Sequence, residues 1–437
     1  MEKTVYSALG ESVWHGRLPN GLHIYVDEKP EYGKQFAFFA ACYGGMDLRF
    51  RTEDGHWRDT PAGVAHFLEH KLFDTEDGNA LQILAANGAE VNAFTASSLT
   101  GYYFEGTDGF AENLSTLLSF VSVPYFTKES VDKEQGIIAQ EIRMGEDNPD
   151  LAIYYMLLEA LYQTHPIRVK VIGSEQSIAQ ITADTLYECH GAFYHPGNMV
   201  LCVAGNVDAK AVERIARNVL PGEEGAMAER DRPAEPEQAA VSRVERTMEV
   251  SAPQFMIGFK GDAPGRGDSL RQRLLGELVC DVLFSSSAPL YSRLYEQGLI
   301  NSTFESGYES VPGCAFLTVG GESRDPDQVL ALIREELGRV AREGIDPTLW
   351  QRQKKAAYGA TVRRLNSLED TCVEMAMSHF DGEDYFRFPE VYQSIEREDA
   401  EELVRRWCVP ERTAMAVIRP NGGTDSQDQD KEGMTNE

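Results

Sequence analysis

The sequence lacks long hydrophobic runs. Among its 437 residues, no apolar stretch approaches the roughly 18 to 20 residues that a bilayer span needs. Residues 1–4 also show neither the basic start nor the apolar stretch of a signal peptide. We therefore expect a cytoplasmic protein that does not span a membrane.

Basic residues are scarce relative to acidic ones. The 41 Lys and Arg residues face 70 Asp and Glu residues, which gives a formal net charge of −29. Such a field repels phosphate backbones, so nucleic acid is excluded as the expected partner. The hydrophobic share of 42% and the charged share of 25% are those of an ordinary folded protein, which excludes disorder throughout the chain.

Paired cysteine motifs are also missing. The seven cysteines are scattered along the chain without a C-x-x-C pair, and their odd number argues against a disulfide framework. We expect them to be buried free thiols in a reducing compartment.

Two segments of similar size carry mixed helix and strand patterns. They cover residues 1–220 and 241–420, and residues 221–240 between them collect Gly, Pro, Ala and charges, as linkers do. Residues 421–437 are polar and acidic, and we expect a disordered tail there. Paired strands and grouped helices favour an α+β fold with two similar domains, each an antiparallel-rich sheet packed with helices. The similar order of elements suggests an internal duplication.

A candidate metal-binding motif lies in the first segment. Thr60 is a candidate helix N-cap followed by Pro61, so we expect a helix to begin there. His66 and His70 are then one helical turn apart, a spacing that lets two imidazoles bind one Zn²⁺. Glu69 lies on nearly the same face, where a carboxylate can take a proton from a water at the metal. The alternative is a chance H-x-x-E-H pattern on a buried helix.

A third ligand is needed, and the helix predicted over residues 128–146 offers two carboxylates. Glu134 and Glu141 share one face of this helix. The apolar contacts expected to turn that face inward come from three isoleucines, Ile137, Ile138 and Ile142. The alternative is a solvated acidic stripe, which is common in a chain this acidic.

The H-F-L-E-H motif, followed by a helix with an E-x6-E pattern, resembles the pitrilysin and insulysin family of zinc metallopeptidases, the inverzincins, which include mitochondrial processing peptidase. By this resemblance His66, His70 and Glu141 bind the zinc. The resemblance also makes Glu69 the general base and Glu134 a carboxylate that orients the site.

Two further blocks resemble the family. E-V-N-A-F-T, residues 90–95, resembles the family's edge strand, which binds the substrate backbone by strand addition. By this resemblance Asn92 and Ala93 contact the substrate, although an ordinary strand-end asparagine is the alternative for Asn92. F-Y-H-P-G-N-M, residues 193–199, resembles the block before the closing strand of the family's domain.

One position departs from the family pattern. Full members carry an Arg-x6-Tyr pair that grips the substrate, and here Arg293 is kept while Ile300 stands in the place of the tyrosine. Isoleucine cannot donate the tyrosine's hydrogen bond. We expect either that the enzyme does without this bond or that another chain supplies it. For Arg293 itself, an ordinary helix-surface arginine is the alternative.

The length of the chain bears on its partners. The family's clamshell has four α+β domains and this chain has room for two, so the resemblance implies half of a clamshell of the mitochondrial-processing-peptidase type. The chain resembles the active subunit of bacterial two-gene pairs, some of which are labelled as associated with elongation factor P modification. The expected partner is a paralogous subunit without the zinc motif, or a second copy of this chain.

The expected function is that of a zinc-dependent endopeptidase that hydrolyses peptides or unfolded segments inside a chamber formed with the partner subunit. Two alternatives stay open: a non-proteolytic scaffold or binding subunit of the same fold, and a zinc hydrolase acting on a small amide. Catalysis is favoured because the two histidines, the base and the third ligand are all present: His66, His70, Glu69 and Glu141. His165, His190 and His195 are expected to be structural, because three ligands and a water complete a catalytic zinc.

Overall fold

The computed structural model describes residues 1–265 and 267–421. Its strands are β1 (Glu2–Tyr6), β2 (Glu11–Arg17), β3 (His23–Glu28), β4 (Gln35–Ala41), β5 (Arg49–Arg51), β6 (Trp57–Asp59), β7 (Asp74–Thr75), β8 (Gly78–Asn79), β9 (Glu90–Thr95), β10 (Thr100–Gly106), β11 (Met199–Gly205), β12 (Glu229–Arg230), β13 (Arg243–Met248), β14 (Gln254–Gly261), β15 (Glu305–Val311), β16 (Cys314–Glu322) and β17 (Thr413–Pro420). Its α-helices are α1 (Val64–Leu72), α2 (Ala80–Ala86), α3 (Phe110–Ser122), α4 (Lys128–Glu146), α5 (Pro149–Leu161), α6 (Glu175–Ile178), α7 (Ala183–Phe193), α8 (Ala209–Val219), α9 (Ser269–Phe284), α10 (Pro289–Glu296), α11 (Pro326–Glu343), α12 (Pro347–Arg364), α13 (Leu368–Asp381), α14 (Phe388–Ser394) and α15 (Arg397–Trp407). Apart from Asn421, the predicted tail lies outside the described residues.

Five strands follow the same order in each of the two large sheets. The seven-stranded sheet runs β1-β2-β3-β11-β4-β10-β9, and the five-stranded sheet runs β13-β17-β14-β16-β15. In each sheet the pair β3 with β11, or β13 with β17, is parallel, and the three pairs that follow are antiparallel. The α+β fold with antiparallel-rich sheets is therefore confirmed. The matching strand orders are the structural form of the duplication that the sequence suggested.

Each half of the chain packs a helix against the sheet of the other half. Helix α5 lies on β14 and β17, and α13 lies on β11 and β4. All seven residues of β11 are buried. A Cβ atom at Gly258 of β14 would stand 2.7 Å from Leu161 of α5, so the glycine permits this close approach. The two halves thus share their apolar cores.

Some element boundaries differ from the prediction. The sequence pattern did not predict the N-terminal hairpin β1-β2, because β1 is exposed over most of its length and shows no apolar alternation. The sequence pattern over residues 347–368 predicts one helix, and this prediction is wrong in extent, since α12 ends at Arg364. A new helix, α13, then begins after Ser367, whose side chain accepts a hydrogen bond from the Asp370 amide at 3.1 Å.

The segment between the halves is fastened to both of them. Its strand β12 pairs with β5, and Arg230 and Arg232 form ion pairs with the buried Asp47 at 3.1 and 2.9 Å. Further along, Glu235 pairs with the buried Lys260 of β14. The domain limits themselves stay a prediction.

All seven cysteines are free, and five of them are buried. Within the described residues no single helix is long and apolar enough to cross a membrane. Helices α9 and α10 reach the necessary length and apolar composition only when taken together, and they are bent by 41° at the break between them.

Candidate metal centre

Helix α1 carries the H-x-x-E-H motif and begins later than predicted. The start at Thr60 and Pro61 is wrong, because the first helical residue is Val64 and the N-cap is Gly63 with φ 101°. Thr60 instead donates its hydroxyl hydrogen bond to the Leu48 carbonyl at 3.1 Å. A Cβ atom at Gly63 would lie 2.7 Å from the Ile172 carbonyl oxygen, so close packing of the preceding loop sets the helix start.

The buried face of α1 fixes the opposite face toward solvent. The residues buried on this helix are Val64, Ala65, Phe67, Leu68, Lys71 and Leu72. Lys71 is neutralised by an ion pair with Asp74. His66, Glu69 and His70 are partly exposed and share the remaining face.

Helix α4 presents its carboxylates to α1. It spans residues 128–146 as predicted and is capped by Thr127, which exchanges hydrogen bonds with Ser130. Ile138 and Ile142 are buried as expected. The expectation for Ile137 is wrong, because its side chain is 45% exposed.

Glu141 lies against both histidines. Its Oε1 is 3.5 Å from His66 Nε2, and its Oε2 is 3.7 Å from His70 Nε2. One ligand atom from each of the three residues lies within 4.8 Å of the other two. In a tetrahedral zinc site with bonds of about 2.1 Å, neighbouring ligand atoms are about 3.4 Å apart. The donor set and its spacing therefore fit a zinc ion.

Glu134 orients one of the imidazoles. Its Oε1 is 3.0 Å from His70 Nδ1, so the proton of His70 belongs on Nδ1. The Nε2 atom, which faces Glu141, is then an unprotonated ligand atom for a metal. Burial lowers the pKa of His70, but the hydrogen bond to Glu134 and the nearby charges of Glu69 and Glu141 raise it overall. The hydrogen bond from His66 holds the pKa of Glu141 below its usual range.

Glu69 has a partner that the sequence did not indicate. The Thr95 hydroxyl at the end of β9 donates a hydrogen bond to Glu69 Oε2 at 2.7 Å. Thr95 belongs to the block recognised as an edge strand, yet sequence spacing gives no signal that the residues at 69 and 95 meet. Only the register of β9 beside α1 brings them together.

Strand β9 is at the edge of the seven-stranded sheet, as the resemblance implied. It pairs with β10 on one side, and none of the described strands pairs with its other side. Asn92 is exposed, and its Oδ1 accepts a hydrogen bond from the Ala93 amide at 2.9 Å. The role of Asn92 and Ala93 in substrate binding stays a prediction.

Arg293 is not brought to the metal centre. It lies on α10, where its guanidinium donates hydrogen bonds to Glu335 at 3.1 Å and to the Leu332 carbonyl at 3.3 Å, both on α11. Ile300 is buried in the core. These contacts are those of an arginine bridging two helices, and substrate binding by Arg293 stays a prediction.

Of three other histidines, His165 and His190 have hydrogen-bond partners among nearby carbonyls, whereas His195 has none within the described residues. His165 Nε2 lies 3.1 Å from the Pro312 carbonyl, and His190 Nε2 lies 3.0 Å from the Val121 carbonyl. Burial lowers the pKa of His190 to about 4 and lowers that of His195 as well. Neutral imidazoles in these places agree with a structural role.

The duplicated sheets and the H-x-x-E-H helix facing a second carboxylate-bearing helix define an α+β protein with a candidate metal centre. Comparison with known sequences narrows this class to one family. Residues 52–175 match the family described as insulinase, peptidase family M16, and residues 180–357 match the peptidase M16 inactive domain. The chain belongs to peptidase family M16.

Relatives of similar length support this assignment. The protein YmfH of Bacillus subtilis strain 168, described as an uncharacterized zinc protease, is 36% identical over 95% of this chain and 98% of its own length. A putative M16-like peptidase from Alicyclobacillus acidocaldarius superimposes with a TM-score of 0.90 at 31% identity, covering 94% of this chain and 99% of that one. A peptidase M16 inactive domain from Pseudomonas fluorescens shares the fold, with a TM-score of 0.78 at 18% identity over 94% of this chain and 98% of that one.

Proposed function

We propose that this chain is a zinc-dependent endopeptidase. The observation that carries the proposal is the convergence of His66, His70 and Glu141 within 4.8 Å, with Glu69 on the same helix face. Two neutral nitrogens and one carboxylate are the donor set of catalytic zinc sites that keep one position open. Family membership and relatives named as zinc proteases point in the same direction.

A zinc ion held by these three residues supplies a polarised water and a Lewis acid for the peptide carbonyl. The residues of the chain do the remainder. Glu69 takes a proton from the attacking water and returns it to the leaving amine. Glu134 keeps the His70 proton on Nδ1, so that the opposite nitrogen stays available as a ligand atom.

We propose that the substrate is an extended, unfolded peptide segment. The free edge of β9 offers main-chain donors and acceptors to a strand of any sequence. In the middle of that edge, Ala93 turns its main-chain groups outward and Asn92 has an exposed side chain. Main-chain pairing holds successive peptide groups at fixed intervals, which places one of them over the metal centre. The net charge of −29 favours basic peptides over acidic ones.

We also propose that the catalytic chamber is completed by a second subunit in the cytoplasm. The partner is a paralogous chain without the zinc motif, or a second copy. Support comes from the departure in the second half, where Arg293 is engaged with α11 and Ile300 is buried, so position 300 supplies no tyrosine for the substrate grip. Size-exclusion chromatography with light scattering, on the chain alone and mixed with such a paralogue, distinguishes the two arrangements.

The decisive experiment compares the wild type with Glu69→Gln. Zinc-loaded wild type should cleave an unstructured peptide, with product masses showing internal cuts, and a chelator should stop the reaction. Glu69→Gln should keep its zinc and lose about 100- to 10,000-fold in kcat, since the amide cannot accept the proton. The matched control is Glu76→Gln, on an exposed turn beyond α1, which should cleave like the wild type.

Other outcomes would reject the proposal in different ways. A wild type that binds zinc and peptides but cuts neither peptides nor small amides is a binding subunit. Turnover of acylated amino acids without cleavage of peptides would identify a small-amide hydrolase. A Glu69→Gln variant as active as the wild type would remove Glu69 from the mechanism.

A further inference from the structure

The main-chain groups on the free edge of β9 can be assigned from its register. The turn between β9 and β10 is closed by a hydrogen bond from the Ala96 amide to the Leu99 carbonyl at 2.8 Å. Hydrogen-bonded and non-hydrogen-bonded pairs alternate along an antiparallel ladder, so Phe94 and Asn92 also point their amides and carbonyls toward β10. The outward-facing amides and carbonyls therefore belong to the alternate residues, Val91, Ala93 and Thr95.

These same residues turn their side chains toward α1. Val91 and Ala93 pack on the apolar cluster that contains Phe67 and Leu68 of α1, whereas Phe94 packs on the other large cluster. The alternation of side chains in a strand places Thr95 on the face of Val91 and Ala93. Its hydroxyl donates to Glu69 Oε2 at 2.7 Å. Thr95 thus contributes main-chain groups to the free edge of β9 and a side-chain hydrogen bond to Glu69.

The loop that contains Gly44 and Gly45 holds the end of β9 in place. The Ala96 carbonyl accepts a hydrogen bond from the Gly45 amide at 3.0 Å. A Cβ atom at Gly44 would lie 2.5 Å from the same carbonyl oxygen, so this loop packs tightly against the strand end. The loop is tied to Asp47, whose Oδ2 accepts from the Gly44 amide at 3.0 Å. Thr95 therefore has a fixed backbone from which to orient a neighbouring side chain.

We propose that Thr95 is a positioning residue that orients the Glu69 carboxylate and couples it to peptide bound on β9. This inference rests on the proposed endopeptidase function. A glutamate side chain has three rotatable bonds, and a hydrogen bond to one carboxylate oxygen removes most of that freedom. With Oε2 held by Thr95, Oε1 is left to face the reacting water. A substrate strand that bonds to the amide and carbonyl of Thr95 also orders the residue that holds the base.

The first test separates turnover from substrate affinity. Thr95→Val keeps the shape of the side chain and removes the hydroxyl, whereas Thr95→Ser keeps the hydroxyl. We expect Thr95→Val to lower kcat by about 10- to 100-fold with KM unchanged within about twofold, and Thr95→Ser to recover most of the rate. Zinc content should equal that of the wild type in both variants. Thr107→Val, at an exposed threonine after β10, is the matched control and should keep the wild-type kcat.

The second test uses binding instead of turnover. Isothermal titration of an uncut peptide should give the same Kd, within about twofold, for Glu69→Gln and for Glu69→Gln combined with Thr95→Val. A tenfold weaker Kd in the double variant would show that Thr95 shapes the edge instead of the base. A wild-type kcat for Thr95→Val, in an enzyme that Glu69→Gln inactivates, would overturn the positioning role while leaving the proposed function intact. A wild type that cleaves no peptide would overturn both.

Discussion

The candidate metal centre combines residues of three elements, and the sequence indicated each of them to a different degree. The spacing of His66 and His70 predicts a shared ligand face once a helix is assumed. Glu141 followed from the resemblance to a family, because a separation of 71 residues along the chain carries no geometric information. Thr95 could not be found, since its contact with Glu69 depends on how β9 lies beside α1.

A prediction at the residue scale concerns Glu134. Glu134→Ala removes the acceptor that holds His70 Nδ1, so the ring can turn and change tautomer. Loss of such a carboxylate typically weakens metal affinity by about 10- to 100-fold. Competition with a chromogenic chelator measures the change.

The matched control for this prediction is Glu129→Ala, at an exposed glutamate in the first turn of the same helix. Its zinc affinity should equal that of the wild type. Equal affinities for Glu134→Ala and the wild type would show that the hydrogen bond does not contribute to metal binding.

At the scale of elements, the segment between the two halves shows where composition is a poor guide. Its Gly, Pro, Ala and charged residues indicate a linker, and no periodicity reveals its contacts. Glu235 nevertheless accepts hydrogen bonds from the amides of Gln163, Thr164 and His165, and it pairs with Lys260. Such contacts depend on tertiary placement, which a sequence pattern cannot supply.

A stability prediction follows for this ion pair. The side chains of Glu235 and Lys260 are 9% and 3% exposed, so Glu235→Ala leaves a buried ammonium without its carboxylate. Breaking a buried pair in this way costs about 3 to 5 kcal/mol of unfolding free energy. Urea denaturation at pH 7 measures it, with Glu223→Ala, at an exposed position of the same segment, as the control. A loss no larger than that of the control would contradict the role given to this pair.

The same carboxylate should make stability depend on pH. Burial raises the pKa of Glu235, but Lys260 and the surrounding amides lower it overall to about 2. A group whose pKa is lower in the folded chain stabilises it above its unfolded pKa of about 4.3, and this contribution is lost as the pH falls toward 2. The difference in stability between wild type and Glu235→Ala should therefore shrink from pH 5 to pH 2. A difference independent of pH would contradict the assigned pKa direction.

For the whole molecule, the sequence indicated two similar halves but not how they meet. Similar element order predicted the duplication, which the shared strand order of the sheets shows directly. The exchange of α5 and α13 between the halves was not foreseeable, because an apolar helix face does not specify which sheet it will cover. Shared cores imply that the halves unfold together.

Because the halves share their cores, we expect the whole chain to unfold in a single transition. Fluorescence and circular dichroism should report one coincident unfolding transition for the whole chain. Gly258→Val, which places a side chain against Leu161 of α5, should lower the free energy of that single transition by about 1 to 3 kcal/mol through overpacking. Gly136→Val, in open space on α4, controls for a glycine replacement without such contact. Two separated transitions would show that the halves are independent.

The central claim is that two imidazoles from α1 and one carboxylate from α4 bind a single zinc ion. Elemental analysis of the purified chain after dialysis measures it most directly, beside His66→Ala and Glu141→Ala. We predict about one zinc per wild-type chain, as expected for three protein ligands that leave one position open, and a much lower content in both variants. Zinc content in the variants equal to that of the wild type, or none in any of the three proteins, would contradict it.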